Sequence, residues 1–130
     1  MSSDKFEEGL KIRREVLGDE YVEKALAGAD DFTRPMQELV TEFCWGTVWS
    51  RDGLARKTRS LINLSMIAAL NRPHELTAHV RGALNNGCSR DEIREVFLQV
   101  AVYCGMPAAI DSFRTTKAVF DELDQKNEQE

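Results

Sequence analysis

The sequence predicts an all-α protein, and three observations carry that expectation. Apolar residues recur three and four apart in nearly every segment, no stretch alternates like a half-buried strand for more than a few positions, and glycines or prolines punctuate the segments at helix-length intervals. The first helix is expected from about Asp4 to Leu17, with Phe6, Leu10 and Leu17 on its stripe and Gly18 as its stop. The segment "DEYVEKALAG" follows as a short second helix ending at Gly28, so residues 1–30 read as an N-terminal arm. Thr33 is placed to cap a third helix with Pro35 in its first turn, where a missing N–H is harmless. Met36, Leu39, Val40, Phe43 and Cys44 form its expected buried stripe, and Gly46 its expected end.

After the loop "GTVWSRDG", a helix from about Ala55 to Leu70 is apolar on almost every side beyond Ser60, as befits the centre of a bundle or a subunit contact. Pro73 opens the next helix and Gly87 closes it; Leu76, Val80, Ala83 and Leu84 mark its core stripe. "SRDE" at 89–92 is a capping box ahead of Ile93, Val96, Phe97, Val100 and Cys104. Gly105 and Pro107 break that helix, and a last one from Ala108 to about Leu123 precedes a charged tail, 124–130, expected to fray.

At 130 residues the chain is expected to form one domain over 1–130 with a sizeable core. The apolar faces on these short helices exceed what a chain of this length covers by itself, which points to a homo-oligomer. A net charge of -5 argues against nucleic acid or anionic membrane as a partner. The longest apolar run, "LINLSMIAAL", is interrupted by Asn63 and Ser65 and is far shorter than a bilayer span. With no charged, then apolar leader at the start, a cytoplasmic protein is the expectation. Cys44, Cys88 and Cys104 form no C-x-x-C pair and read as reduced, buried thiols. Two histidines with no cysteine beside them give no metal-ligand spacing, and no glycine-rich phosphate loop is present, so neither metal nor cofactor is expected.

The residues that bear on chemistry begin with Glu75 and His79 in "HELTAHVRGALNNG". They stand one helical turn apart, His79 at the border of the buried stripe. A partly buried imidazole beside a carboxylate has its charged form favoured and can deliver a proton near neutral pH. Equally, Glu75 can merely complement the helix N-terminus while His79 is an ordinary boundary residue, and spacing by itself favours that second reading. The segment "WGTVWSRDGLARKTRS" shifts the balance, because Arg51, Arg56, Lys57 and Arg59 crowd a helix start, where cations oppose the macrodipole unless an anion offsets them. Arg51 can fork onto a carboxylate and Trp45 and Trp49 can wall a dry pocket, although core anchoring explains the tryptophans too. Arg56 and Lys57 read as outward-facing, Arg59 less readily so. Tyr103 reads as a core residue, with a pocket donor as the alternative.

The blocks "WGTVWSR", "TRSLINL", "HVRGALNNG", "DEIREVFLQ" and "YCGMPAA" make the chain, from Asp31 to Ala109, similar to the carboxymuconolactone decarboxylases of bacterial aromatic catabolism. The resemblance implies an all-α fold of the alkylhydroperoxidase-D-like type, a homo-oligomer that in this group is commonly a hexamer, and a cofactor-free decarboxylation. The substrate so implied is a small dicarboxylic lactone, 4-carboxymuconolactone, converted to 3-oxoadipate enol-lactone in the β-ketoadipate pathway. On this reading His79 is the acid, Glu75 orients it, Arg51 clamps a carboxylate with Arg59 and Tyr103 as further binding candidates, and Trp45 and Trp49 exclude water. In the peroxidase branch a C-x-x-C pair precedes the histidine; here those positions are Arg72 and Glu75, so thiol peroxidase chemistry lacks its dithiol. A non-catalytic oligomeric binding protein on the same fold is the alternative from a different class. Ile110, Asp111 and Arg114 stand where the decarboxylases usually carry an asparagine and a histidine, which puts the substrate in question.

Overall fold

The computed structural model describes residues 3–129 and divides into two compact units, one closing at Arg56 and the other starting at Lys57. Among the described residues there are seven α-helices and one π-helical segment, and no strand. They run α1 (Asp4–Leu17), α2 (Asp19–Ala27), α3 (Arg34–Leu39), the π segment (Val40–Val48), α4 (Arg56–Leu70), α5 (Pro73–Asn85), α6 (Arg90–Cys104) and α7 (Met106–Gln129). None of these helices is long and apolar enough to cross a membrane.

In the N-terminal unit Ser3 caps α1 by accepting a hydrogen bond from the Phe6 N–H, and Gly18, at φ 93°, makes the turn into α2. α1 lies against the π segment at a crossing of two glycines. A Cβ on Gly9 would strike the Thr41 carbonyl oxygen and come within 2.7 Å of the Gly46 nitrogen; one on Gly46 would strike the Lys5 carbonyl. Gly46 therefore does not end the helix, as the sequence suggested, but lets two backbones touch in mid-element. Among the buried residues of this stretch Thr41, Trp45 and Trp49 recur every four positions, with Gly46 beside Trp45, on the wider π turn in which the Trp49 N–H bonds the Cys44 carbonyl. The face turned to α1 is thereby rotated from the one a 3.6-residue period marks. Phe43, expected in the core, is thus more than half exposed, and so are Met36 and Leu39 of α3, which share its side of the chain, while Val40 and Cys44 are partly buried.

Ile12, Val16, Trp45 and Trp49 form the core of this unit, the two indoles tilted at 31° with centroids 4.7 Å apart. Arg13 is buried beside them, its Nη1 donating to Gln37 Oε1 at 3.0 Å and Thr41 Oγ1 at 3.2 Å. Thr33 does not cap α3; it closes a local turn with Asp30, whose carboxylate accepts from the N–H groups of Phe32 and Thr33.

The C-terminal unit gathers Leu64 and Ala68 of α4, Leu76, Val80 and Ala83 of α5, Ile93, Phe97 and Val100 of α6, and Ala109 and Val119 of α7. The expected capping box of α6 is present, Ser89 and Glu92 each bonding the other's backbone N–H. Arg90 grips Asp124 with two nitrogens, at 2.7 and 3.2 Å, and lies 4.4 Å over the Phe120 ring. That anchor explains why α7 stays helical to Gln129 instead of fraying after Leu123. Between α4 and α5 the chain reverses at Asn71, whose φ of 56° is tolerated by asparagine better than by most residues.

Candidate active site

α5 is held to its unit by fully buried Leu76, Val80 and Ala83, and this anchoring places His79 at the margin of the core, half-buried, as its place beside the stripe indicated. Glu75, one turn earlier, is exposed. The groups expected to form a pair do interact electrostatically, but the balance differs from the expectation. Burial pushes the His79 imidazole below its ordinary value of 6.5, and the Glu75 charge only partly pulls it back. The charged form is disfavoured, so the imidazole rests neutral at pH 7.

This shift has a consequence for stability. The unfolded chain binds the His79 proton more tightly than the folded one, so stability contributed by the neutral ring is present above pH 6.5 and is lost as pH falls towards the lowered folded value. Asp30, Glu92 and Asp124 have their carboxyl pKa values lowered from 3.8, 4.5 and 3.8, so their losses come at more acid pH. The urea midpoint is therefore expected to fall on acidification from about pH 7.5 to about pH 5, and His79→Gln should flatten that limb. An equally steep limb in the variant would remove His79 as its origin.

A partner that sequence reasoning passed over completes the geometry. Asn63 of α4, half-buried, brings its amide Nδ2 to 3.4 Å from His79 Nδ1. The signal in the sequence is an amide inside the otherwise apolar "LINLSMIAAL". Arg59, also half-buried, stands one turn before Asn63 on the same side of α4.

The remaining candidates fare differently. Trp45 and Trp49 are core residues at 2% and 5% exposure, as the alternative for them held. Trp49 also borders a hollow of about 500 Å³ in the N-terminal unit, together with Arg51, Lys11, Asp52 and the ion pair of Arg56 with Glu15 at 2.7 Å. Arg51 is exposed at its rim. Lys57 is taken by Glu92 at 3.0 Å, so the cations at the start of α4 are partly neutralised by carboxylates of the protein itself. Tyr103 is not in the core: at 80% exposure it flanks an open apolar groove between α4 and α6 with Met66 and Val100. Thus the structure joins His79 with Glu75 and Asn63, and Arg51 with Trp49, each set within its own unit.

Cys44, Cys88 and Cys104 are free thiols; burial raises the pKa of the first two, while Cys104 is exposed, contrary to expectation. Among the described residues no three His, Cys, Asp or Glu side chains are grouped to hold a metal ion.

The family model of the carboxymuconolactone decarboxylases matches residues 34–118. The chain is 51% identical over 123 residues to a nitrosuccinic acid decarboxylase of Metarhizium robertsii, covering 95% of this chain and 86% of that protein. It is 40% identical over 119 residues to the 4-carboxymuconolactone decarboxylase of Acinetobacter baylyi, covering 92% and 89%. An uncharacterized 15.0 kDa protein of Paracoccus denitrificans shares 32% over 103 residues, 72% of this chain and 76% of that one. With its helical fold, its half-buried histidine and two decarboxylases among its relatives, the chain belongs to the carboxymuconolactone decarboxylase family and is a carboxy-lyase.

Proposed function

We propose that the protein decarboxylates a small dicarboxylic acid in which the departing carboxylate sits on a carbon joined to an electron sink, and that nitrosuccinate is its substrate. Loss of CO2 from the nitro-bearing carbon sends the electron pair onto the nitro oxygens. In an unsaturated lactone it runs through the ring onto the carbonyl oxygen. Either substrate is its own sink, and what remains for the protein is to hold carboxylates, meet the new oxyanion and keep water from screening it.

The observation that carries this reading is His79, half-buried on α5 with Glu75 a turn away and Asn63 at its ring. His79 is the group that meets the charge left by CO2, and Glu75 keeps its pKa from falling further. Arg59 takes a carboxylate, and in the N-terminal unit Arg51 is a carboxylate clamp with Trp49 as the apolar wall of the hollow beside it. The higher identity to the nitrosuccinic acid decarboxylase, 51% against 40%, favours the nitro compound. So does the region after Ala109. Asp111 is occupied by an ion pair with Arg114 at 3.3 Å, and Ile110 is exposed, in place of the asparagine and histidine that the resemblance leads one to expect. Carboxymuconolactone is the second reading. A homo-oligomer, a hexamer by resemblance, is supported by the apolar side chains left uncovered: Met36, Leu39 and Phe43 on one unit, Leu70, Val102 and Met106 on the other.

Purified protein is expected to release CO2 from nitrosuccinate and, more slowly, from carboxymuconolactone without added cofactor. Arg51→Ala should raise KM by about 10- to 100-fold, the loss of charge-assisted hydrogen bonds, and leave kcat within a few-fold. The reverse order of rates would make the lactone the substrate, no turnover of either would sink the proposal, and an unchanged KM would remove Arg51 from it.

A further inference from the structure

Asn63 is a polar side chain to which neither the core nor the proposed reaction yet assigns work. An asparagine inside a helix is less favourable than leucine, so helix formation alone does not call for one here. Its neighbour Leu64 and, one turn on, Ala68 are fully buried, which fixes the roll of α4 and with it the direction of the amide. The reversal at Asn71 brings α5 back so that the His79 ring meets that amide.

We infer that Asn63 is a positioning residue: its amide nitrogen, 3.4 Å from His79 Nδ1, holds the ring as the Nε2–H tautomer, a neutral hydrogen-bond donor to the oxygen that gathers charge. The inference rests on the reading of His79 as the group that meets the oxyanion. An amide nitrogen donates and does not accept, so the ring nitrogen facing it must offer a lone pair, and the single proton of the neutral imidazole lies on Nε2. His79 then acts as an oxyanion-hole donor and not, as its sequence context suggested, as the acid. The C–CO2 bond breaks, the pair moves onto the sink oxygen under the Nε2–H, and the carbon takes its proton from water; the hydroxide left behind combines with CO2 as bicarbonate.

The test is nitrogen NMR of protein labelled with 15N-histidine, with His79→Ala used to separate the two histidines. The parent is expected to show His79 Nδ1 without a proton and Nε2 protonated. Asn63→Leu should lose the preference and populate both tautomers. In Asn63→Asp the carboxylate accepts from Nδ1–H and so reverses it, with kcat on nitrosuccinate falling at least about tenfold and KM within about threefold. A merely structural asparagine would change the urea midpoint and leave the tautomer in place. A parent ring protonated on Nδ1 overturns the inference, as does an Asn63→Asp variant whose tautomer reverses while kcat is unchanged. Full activity in His79→Ala would instead overturn the underlying reading of His79, and the tautomer measurement would still report on Asn63.

Discussion

His79→Ala is expected to lower kcat by about 10²- to 10³-fold, the usual effect of losing a hydrogen-bond donor aimed at charge that develops in the transition state. The argument is one of dielectric. In water a neutral imidazole would add little to the stability of a nitronate or enolate already well hydrated. Half-buried, the same N–H competes with fewer solvent dipoles and needs no reorganisation when the charge appears. Burial is also what lowers the imidazole pKa, so the environment that makes the ring neutral is the one that makes its hydrogen bond effective. Because this bond strengthens only as CO2 leaves, kcat and kcat/KM should fall together, with KM little changed. Steady-state kinetics and a circular-dichroism check of folding decide the matter; kcat retained within a few-fold in a folded variant would end the role given to His79.

The second large effect concerns the fold of the N-terminal unit. Gly46→Ala is expected to destabilise it by about 3 kcal/mol or more, at or beyond the upper end of ordinary overpacking. In an exposed helix the same change would stabilise by about 1 kcal/mol, since alanine loses less backbone entropy. Here that gain is overwhelmed, because the new methyl would meet the Lys5 carbonyl, a backbone atom that cannot swing aside like a side chain. Relief would require α1 to move off the π segment, uncovering Ile12, Val16 and both indoles. Gly53→Ala is the matched control, with nothing within 4 Å of the added carbon, and should stay within about 0.5 kcal/mol of the parent. Urea unfolding of the two variants side by side measures the difference; equal midpoints would mean that α1 and the π segment do not cross at these glycines.

The helical elements were legible because each carries its own local instructions. Ser89 and Glu92 cap the start of α6, Pro73 opens α5, and Leu76, Val80 and Ala83 repeat at the period of a helix, so nothing beyond a few neighbouring residues is needed to read them. His79 was legible for the same reason, as a polar residue at the edge of a periodic stripe. The family likeness carried the carboxy-lyase assignment further than spacing could, since spacing alone favoured an ordinary boundary histidine.

The amino-acid sequence by itself determined the all-α class, the capping box of α6 and the place of His79 beside its core stripe, all consequences of side-chain period and local backbone chemistry. Only the tertiary structure decided three other things. It showed that Gly46 serves contact between backbones and not a stop, that Met36, Leu39 and Phe43 are left uncovered, and that Asn63 reaches His79 across sixteen positions of chain. It also decided the sign of the shift at His79, where desolvation outweighs the carboxylate one turn away. The physical reason is common to all of these: close approach, exposure and desolvation depend on which atoms distant segments bring together, and a repeat along the chain records only which residues share a face.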